Sequence, residues 1–146
     1  MKSKLKIIQF CGTDGSGKTT VINAFNKATK YEFFCVDRLF DSAYVYDFVY
    51  KRRKRETLIL RAEEELSNLE NVDFFCVYLF CEKDDLYKRL IEKGEPARIL
   101  KNIDRASKKY TEYMSKSNFK MLLLNTSNTD VEECVKKITQ FVRSRQ

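Results

Sequence analysis

Residues 12–19 read Gly12-Thr13-Asp14-Gly15-Ser16-Gly17-Lys18-Thr19, the pattern G-x-x-x-x-G-K-[ST]. This spacing is that of a P-loop, in which glycines let backbone N–H groups converge on a polyphosphate. A lysine in the Lys18 position places a point charge on the β- and γ-phosphates, and a hydroxyl in the Thr19 position can ligate Mg²⁺. The flanks match the pattern. Leu5, Ile7, Ile8 and Phe10 form a short apolar strand before it, and Val21, Ile22, Phe25 and Ala28 follow at helical spacing. A strand, a tight loop and a helix in that order commit the chain to an α/β fold and aim a helix N-terminus at an anion. A glycine-rich turn without a ligand is the competing reading.

The remaining composition narrows the field. At 146 residues the chain is one domain's worth of sequence, spanning 1–146, with 43% hydrophobic and 34% charged residues. The longest apolar run, Phe74 to Cys81, falls well short of the ~18 residues of a membrane span, so no membrane contact is expected. Met1-Lys2-Ser3-Lys4 is basic, but the apolar stretch after it is short for a signal peptide, so the expected location is cytoplasmic. There are five cysteines and no histidine, and no C-x-x-C spacing, which argues against a zinc site and against histidine acid–base catalysis. Cys11, Cys35, Cys76 and Cys81 lie in or beside apolar strands and read as buried free thiols. A net charge of +7 suits anionic partners. Much of it sits in Lys51-Arg52-Arg53-Lys54-Arg55, which reads as a solvated helix end, a collar for a substrate phosphate or a nucleic-acid contact.

Strands and helices alternate along the chain. Strands are expected at 5–10, 32–36, 72–81 and 119–124. Helices are expected from the P-loop to 29, at 40–50, around Ile59, Ala62, Leu66 and Leu69, at 84–93, at 99–116 and from near Thr129 to the end. Gly94 has a C-cap position, Gly94 to Ala97 reads as a loop, and Thr129-x-x-Glu132 has capping-box spacing. The third strand is apolar on both faces, as a buried parallel strand must be. The expectation is a three-layer α/β P-loop fold with a parallel sheet of about four strands in the order 2-1-3-4.

Asp37-Arg38 ends the second strand, on the same sheet edge as the P-loop, and ligands of open α/β sheets bind beyond that edge. An aspartate there can hold Mg²⁺ through water or accept the proton of an attacking hydroxyl, and an arginine can clamp an acceptor phosphate. The alternative is a helix-capping aspartate beside a solvated arginine.

Residues 12–20 together with Asp37-Arg38 resemble the P-loop and Asp-Arg motifs of thymidylate kinases, which also carry an acidic residue in the Asp14 position. Ser42 and Tyr46 stand where that family has a serine and a tyrosine, and Tyr87 to Gly94 is similar to its arginine-bearing helix before a mobile lid. The likeness is strongest to small phage-type deoxynucleoside monophosphate kinases. It implies a kinase that uses ATP and Mg²⁺, with a short lid near 94–105. Gly12, Asp14, Gly15, Ser16, Gly17, Lys18, Thr19 and Thr20 would bind ATP, and Thr19 and Asp37 would serve the metal. Asp14, Arg38, Ser42 and Tyr46 would bind the acceptor, with Tyr46 under the deoxyribose rather than in the core. Lys18, Asp37, Arg38 and Arg98 would be catalytic, Arg98 being chosen over Arg89 and Arg105 because it follows the Gly94/Pro96 loop.

The chain also departs from that family. Asp37 follows Lys18 by 19 positions, much closer than in full-length members, Ala43 replaces a common asparagine, and Leu39 replaces a tyrosine. The base is therefore left open. The expected activity is phosphoryl transfer from ATP to a deoxynucleoside monophosphate. A 5′-polynucleotide kinase, with nucleic acid as partner, and a non-catalytic nucleotide-binding module are the alternatives. A homodimer is compatible with either.

Overall fold

The apolar run ahead of the P-loop is one of the two inner strands of the sheet, with a neighbour on each side. In the computed structural model, residues 4–144 are described apart from Pro96, and within that span the side chains of Arg98 and Ile99 are excluded. In chain order the elements are β1 (Leu5–Cys11), α1 (Lys18–Ala28), β2 (Phe34–Asp37), α2 (Phe40–Val49), α3 (Glu56–Ser67), β3 (Val72–Phe80), α4 (Lys83–Glu92), α5 (Ala97–Lys116), β4 (Lys120–Asn125) and α6 (Val131–Arg143). The four strands form one sheet in the order β2-β1-β3-β4. Every pairing is parallel, with Ile8 opposite both Cys35 and Phe75, and Val77 opposite Leu122. The order 2-1-3-4 is the one expected.

Alternation of side chains along the strands divides the core between two faces. Ile8, Phe10, Val77 and Leu79 point to α1 and α6, where they meet Val21, Phe25 and Ile138. Cys11, Cys76 and Tyr78 point to the opposite face, against Val45, Ala106 and Tyr110 of α2 and α5 and Ile59 of α3. Leu86 and Leu90 of α4 close a smaller cluster with Ile103 at the carboxyl edge of the sheet. Burying each such side chain stabilises the fold by about 1.5–3 kcal/mol. All five cysteines are free thiols; Cys11, Cys76 and Cys134 are buried, and Cys35 and Cys81 are half-buried. Among the described residues no helix is long and apolar enough to cross a membrane.

Two local expectations are corrected. Thr129 does not cap α6. Asp130 is the N-cap, and its carboxylate accepts from the Glu133 N–H at 2.8 Å; a carboxylate is favoured over a hydroxyl at the positive end of a helix. The second strand starts two residues later than expected and extends to Asp37. The chain first turns through Lys30 and Tyr31, both in the left-handed region at φ 51° and 58°. Gly94 does end α4 as expected, at φ 69° with its N–H on Ile91 O. Of the segment expected as a lid, the residues from Ala97 on belong to α5, and Pro96 lies outside the described residues.

Candidate active site

The P-loop wraps the N-terminus of α1. Gly17 is the helix N-cap with φ 95°, a conformation that glycine adopts without strain, and no side chain caps the helix. The first N–H groups of α1 are therefore left for an anion. Gly12 is required for a different reason: a Cβ there would stand 2.4 Å from Leu79 O and 2.7 Å from Ser16 Oγ. Lys18 is only 6% exposed. Its ammonium donates to Gly12 O at 2.7 Å and lies 3.6 Å from Asp37 Oδ1. Burial pulls the Lys18 pKa down from the usual lysine value, Arg38 adds to this, and Asp37, Asp41 and Asp14 oppose it. Ser16 Oγ is buried without a hydrogen-bond partner. An orphaned hydroxyl costs about 1–3 kcal/mol, and a phosphate oxygen in the loop would relieve it.

These residues line a cleft of about 630 Å³ that runs from Thr13 through Val21 to Asp37 and Arg38 on one side. Its other wall is Arg89, Thr126, Asp130 and Val131. Thr19 and Thr20 are exposed along it, and Gly12 lies beneath it as an acceptor for Lys18. Arg89 of α4 donates to Gly15 O at 3.2 Å, Thr126 Oγ1 at 2.9 Å and Thr126 O at 3.1 Å, tying the loop to the end of β4. Of the three arginines weighed from the sequence, Arg89 is at the P-loop. Arg105 stacks on Phe48 elsewhere, and the Arg98 side chain lies outside the described residues. Sequence reading did not anticipate Thr126, Asp130 or Val131. Their position just beyond the carboxyl end of β4 was the available signal.

A second group of residues borders this cleft at the end of β2. Arg38 Nη2 lies 2.6 Å from Asp14 Oδ1 and its guanidinium sits 5.8 Å from the Tyr46 ring centre. Burial opposes the Arg38 charge, but Asp14, with Tyr46 and Tyr110, outweighs it, so its pKa is raised. Arg38 adopts φ 66°, a strained conformation for a non-glycine residue. Tyr46 is half-buried, edge-on to Tyr110 and stacked on Tyr50. Ser42 is half-buried on α2 one turn earlier and does not line the P-loop cleft.

What holds α2 here was not legible from motifs. Gln9, fully buried in the middle of β1, accepts from the Phe40 N–H at 2.8 Å and donates to the Tyr113 hydroxyl at 2.8 Å. It takes the place of an N-cap for α2. Asp41 accepts from the Leu39 N–H and from the Tyr110 hydroxyl, each at 2.9 Å. Burial pushes the Asp41 carboxyl up, against the pull of those hydrogen bonds.

No protein-family model matches the chain, and no curated protein is similar to it in sequence. Solved structures do share its fold. The YorR protein of Bacillus subtilis, solved with phosphorylated GDP, is 22% identical over 93% of this chain and 95% of its own, with a TM-score of 0.77. Thymidylate kinase of Candida albicans is 11% identical over 97% of this chain and 92% of its own, with a TM-score of 0.63. Deoxyadenosine kinase of M. mycoides, solved with dCMP and a flexible dCDP, is 18% identical over 95% of this chain and 100% of its own, with a TM-score of 0.58. The fold is thus the P-loop kinase fold. At such identities the likeness is one of architecture.

Proposed function

We propose that the protein is a phosphotransferase that moves the γ-phosphoryl group of ATP to a nucleotide, with a deoxynucleoside monophosphate as the acceptor. The observation that carries this reading is one cleft joining an uncapped helix N-terminus and a buried Lys18 to a second cation, Arg38, held by Asp14. The donor phosphates sit in the loop, with Lys18 on the β- and γ-positions. Arg38 clamps the acceptor phosphate, whose oxygen attacks the γ-phosphorus as the bond to ADP breaks. Such transfers need positioning and charge neutralisation more than covalent help. An acceptor that is already a phosphate has no hydroxyl proton to lose, so Asp37 serves the metal rather than acting as a base.

The donors fit Mg²⁺. Thr19 and Asp37 line the same cleft and offer hard oxygen ligands, and the ion usually takes one or two protein oxygens and completes its shell with phosphates and water. Thr19 and Asp37 would hold the ion, whose charge would offset the negative charge that develops on the transferring phosphoryl group. Arg89, already at the loop, is better placed for the transition state than the more distant Arg105.

The test is ATP consumption against nucleosides, nucleoside monophosphates and 5′-hydroxyl oligonucleotides. Deoxynucleoside monophosphates should be turned over best. Turnover of nucleosides alone, or of oligonucleotide ends alone, would replace the acceptor assignment. ATP binding without turnover on any acceptor would make the protein a nucleotide-binding module.

A further inference from the structure

The basic run that the sequence left open does not extend a helix. Residues 52–55 form the connection between α2 and α3, entered through Lys51 in the left-handed conformation at φ 54°. That conformation usually belongs to glycine after a helix end, and a lysine holds it here at some strain. The connection walls a second pocket of about 330 Å³, which shares no residue with the P-loop cleft. Six cations line it, Lys51 to Arg55 and Arg105, against two carboxylates, Asp47 and Glu56.

The carboxylates are already engaged. Arg55 holds Asp47 at 2.8 Å, and Lys109 holds Glu56 at 2.6 Å. Among the described residues Lys51, Arg52, Arg53 and Lys54 have no acidic partner, and all four are exposed. The pocket also has an apolar side. Phe48 is 46% exposed, with Lys109 4.3 Å and Arg105 5.3 Å from its ring centre, so a base would stack on the part of the ring that they leave open. From there flat groups continue toward the P-loop: Arg52 lies 5.4 Å from the Tyr50 ring, Tyr50 stacks on Tyr46 at 5.9 Å, and Arg38 lies over Tyr46.

We propose that this pocket binds the phosphodiester backbone of single-stranded nucleic acid, with Phe48 as a stacking surface for a base. Four cations without an acidic partner, Lys51 to Lys54, stand side by side on one short connection and match two or three phosphates of a strand. Unpaired cations beside exposed rings form the combination by which single strands are held without sequence preference. The site is separate from the P-loop, so it stands whether or not the kinase reading does.

Fluorescence anisotropy of a labelled oligothymidylate of about twelve nucleotides tests it. Affinity should fall with a log–log salt slope near −2, about 15-fold between ~50 and ~200 mM salt, since each of the two or three phosphate contacts on a single strand contributes about −0.7. Arg53→Glu with Lys54→Glu should flatten the slope by about 1.4 and weaken binding more than tenfold at low salt. Phe48→Ala should weaken binding about tenfold with the slope unchanged. Lys18→Ala, which removes the P-loop charge, should bind the strand as the parent does, separating this site from the kinase site. Circular dichroism would verify that each variant is folded. Absence of binding at low salt, insensitivity to the charge reversals, or full displacement by equimolar tripolyphosphate would each overturn the proposal.

Discussion

Lys18 shows how one side chain ties burial to activity. Nearly enclosed, it carries a charge that desolvation disfavours, and a polyphosphate would restore what burial removes. Lys18→Ala should fold normally and lose turnover by about 10²-fold or more in a steady-state kinase assay. Near-parental turnover would end the kinase reading. The sign of the pH effect follows from the lowered pKa. Bound phosphates favour the ammonium form, so the pKa rises on binding. Between the free and bound values binding takes up a proton, and ATP affinity should fall as pH rises through that interval. Titration calorimetry in buffers of different ionisation enthalpy would reveal the proton uptake, which Lys18→Ala should abolish. Tyr46 carries the other residue-scale question. If its ring packs under a deoxyribose, Tyr46→Ala should let ribonucleoside monophosphates compete better, because a steric rejection disappears with the ring. Being half-buried, it should cost less than the ~3–5 kcal/mol of a fully buried aromatic. An unchanged deoxy/ribo ratio of kcat/KM with a sharply lowered melting temperature would assign Tyr46 to the core alone.

Elements were legible where their residues carry a local signal. The P-loop and the apolar flanks of β1 and α1 combine a period of two, a glycine-rich turn and a period of 3.6 within a few residues, and that sequence reads only one way. The start of α2 has no such signal. Its first N–H groups are satisfied from β1, 31 residues before Phe40, by Gln9, which occupies a strand position that pattern reading assigns to the core. Gln9→Leu keeps the volume and removes the acceptor. It should destabilise the protein by about 1–3 kcal/mol in denaturant unfolding, the cost of a buried N–H left unpaired. It should also raise the acceptor KM while leaving ATP affinity nearly unchanged, since α2 carries Tyr46 and follows Arg38, while the P-loop is held by α1. A rise in the ATP dissociation constant instead would mean that Gln9 supports the donor site. Likewise the capping-box spacing pointed to Thr129, and only the geometry of the helix entrance puts the cap on its neighbour Asp130.

At the scale of the whole molecule the two halves of the cleft belong to different layers, joined by one sheet edge. The P-loop sits between β1 and α1, and Arg89 and Thr126 come from α4 and the end of β4 to close it. A ligand there adds to the hydrogen bonds by which Arg89 and Thr126 already tie these elements to the loop. ATP with Mg²⁺ at about 100 times its dissociation constant should stabilise the protein by about 2.7 kcal/mol. For a chain of this size that is about 5–10 °C in a thermal melt, and Lys18→Ala should shift far less. A melting temperature indifferent to ATP would refute the donor site. By itself the sequence determined the sheet order, the phosphate loop and the Asp37-Arg38 pair at the same edge, because hydrophobic period, glycine conformation and short connections are local in the chain. Only the tertiary structure decided that Arg89 reaches the loop, that Gln9 starts α2, and that the basic run lies open beside Phe48. Each of these depends on contacts between residues distant in sequence, whose distances no local pattern encodes.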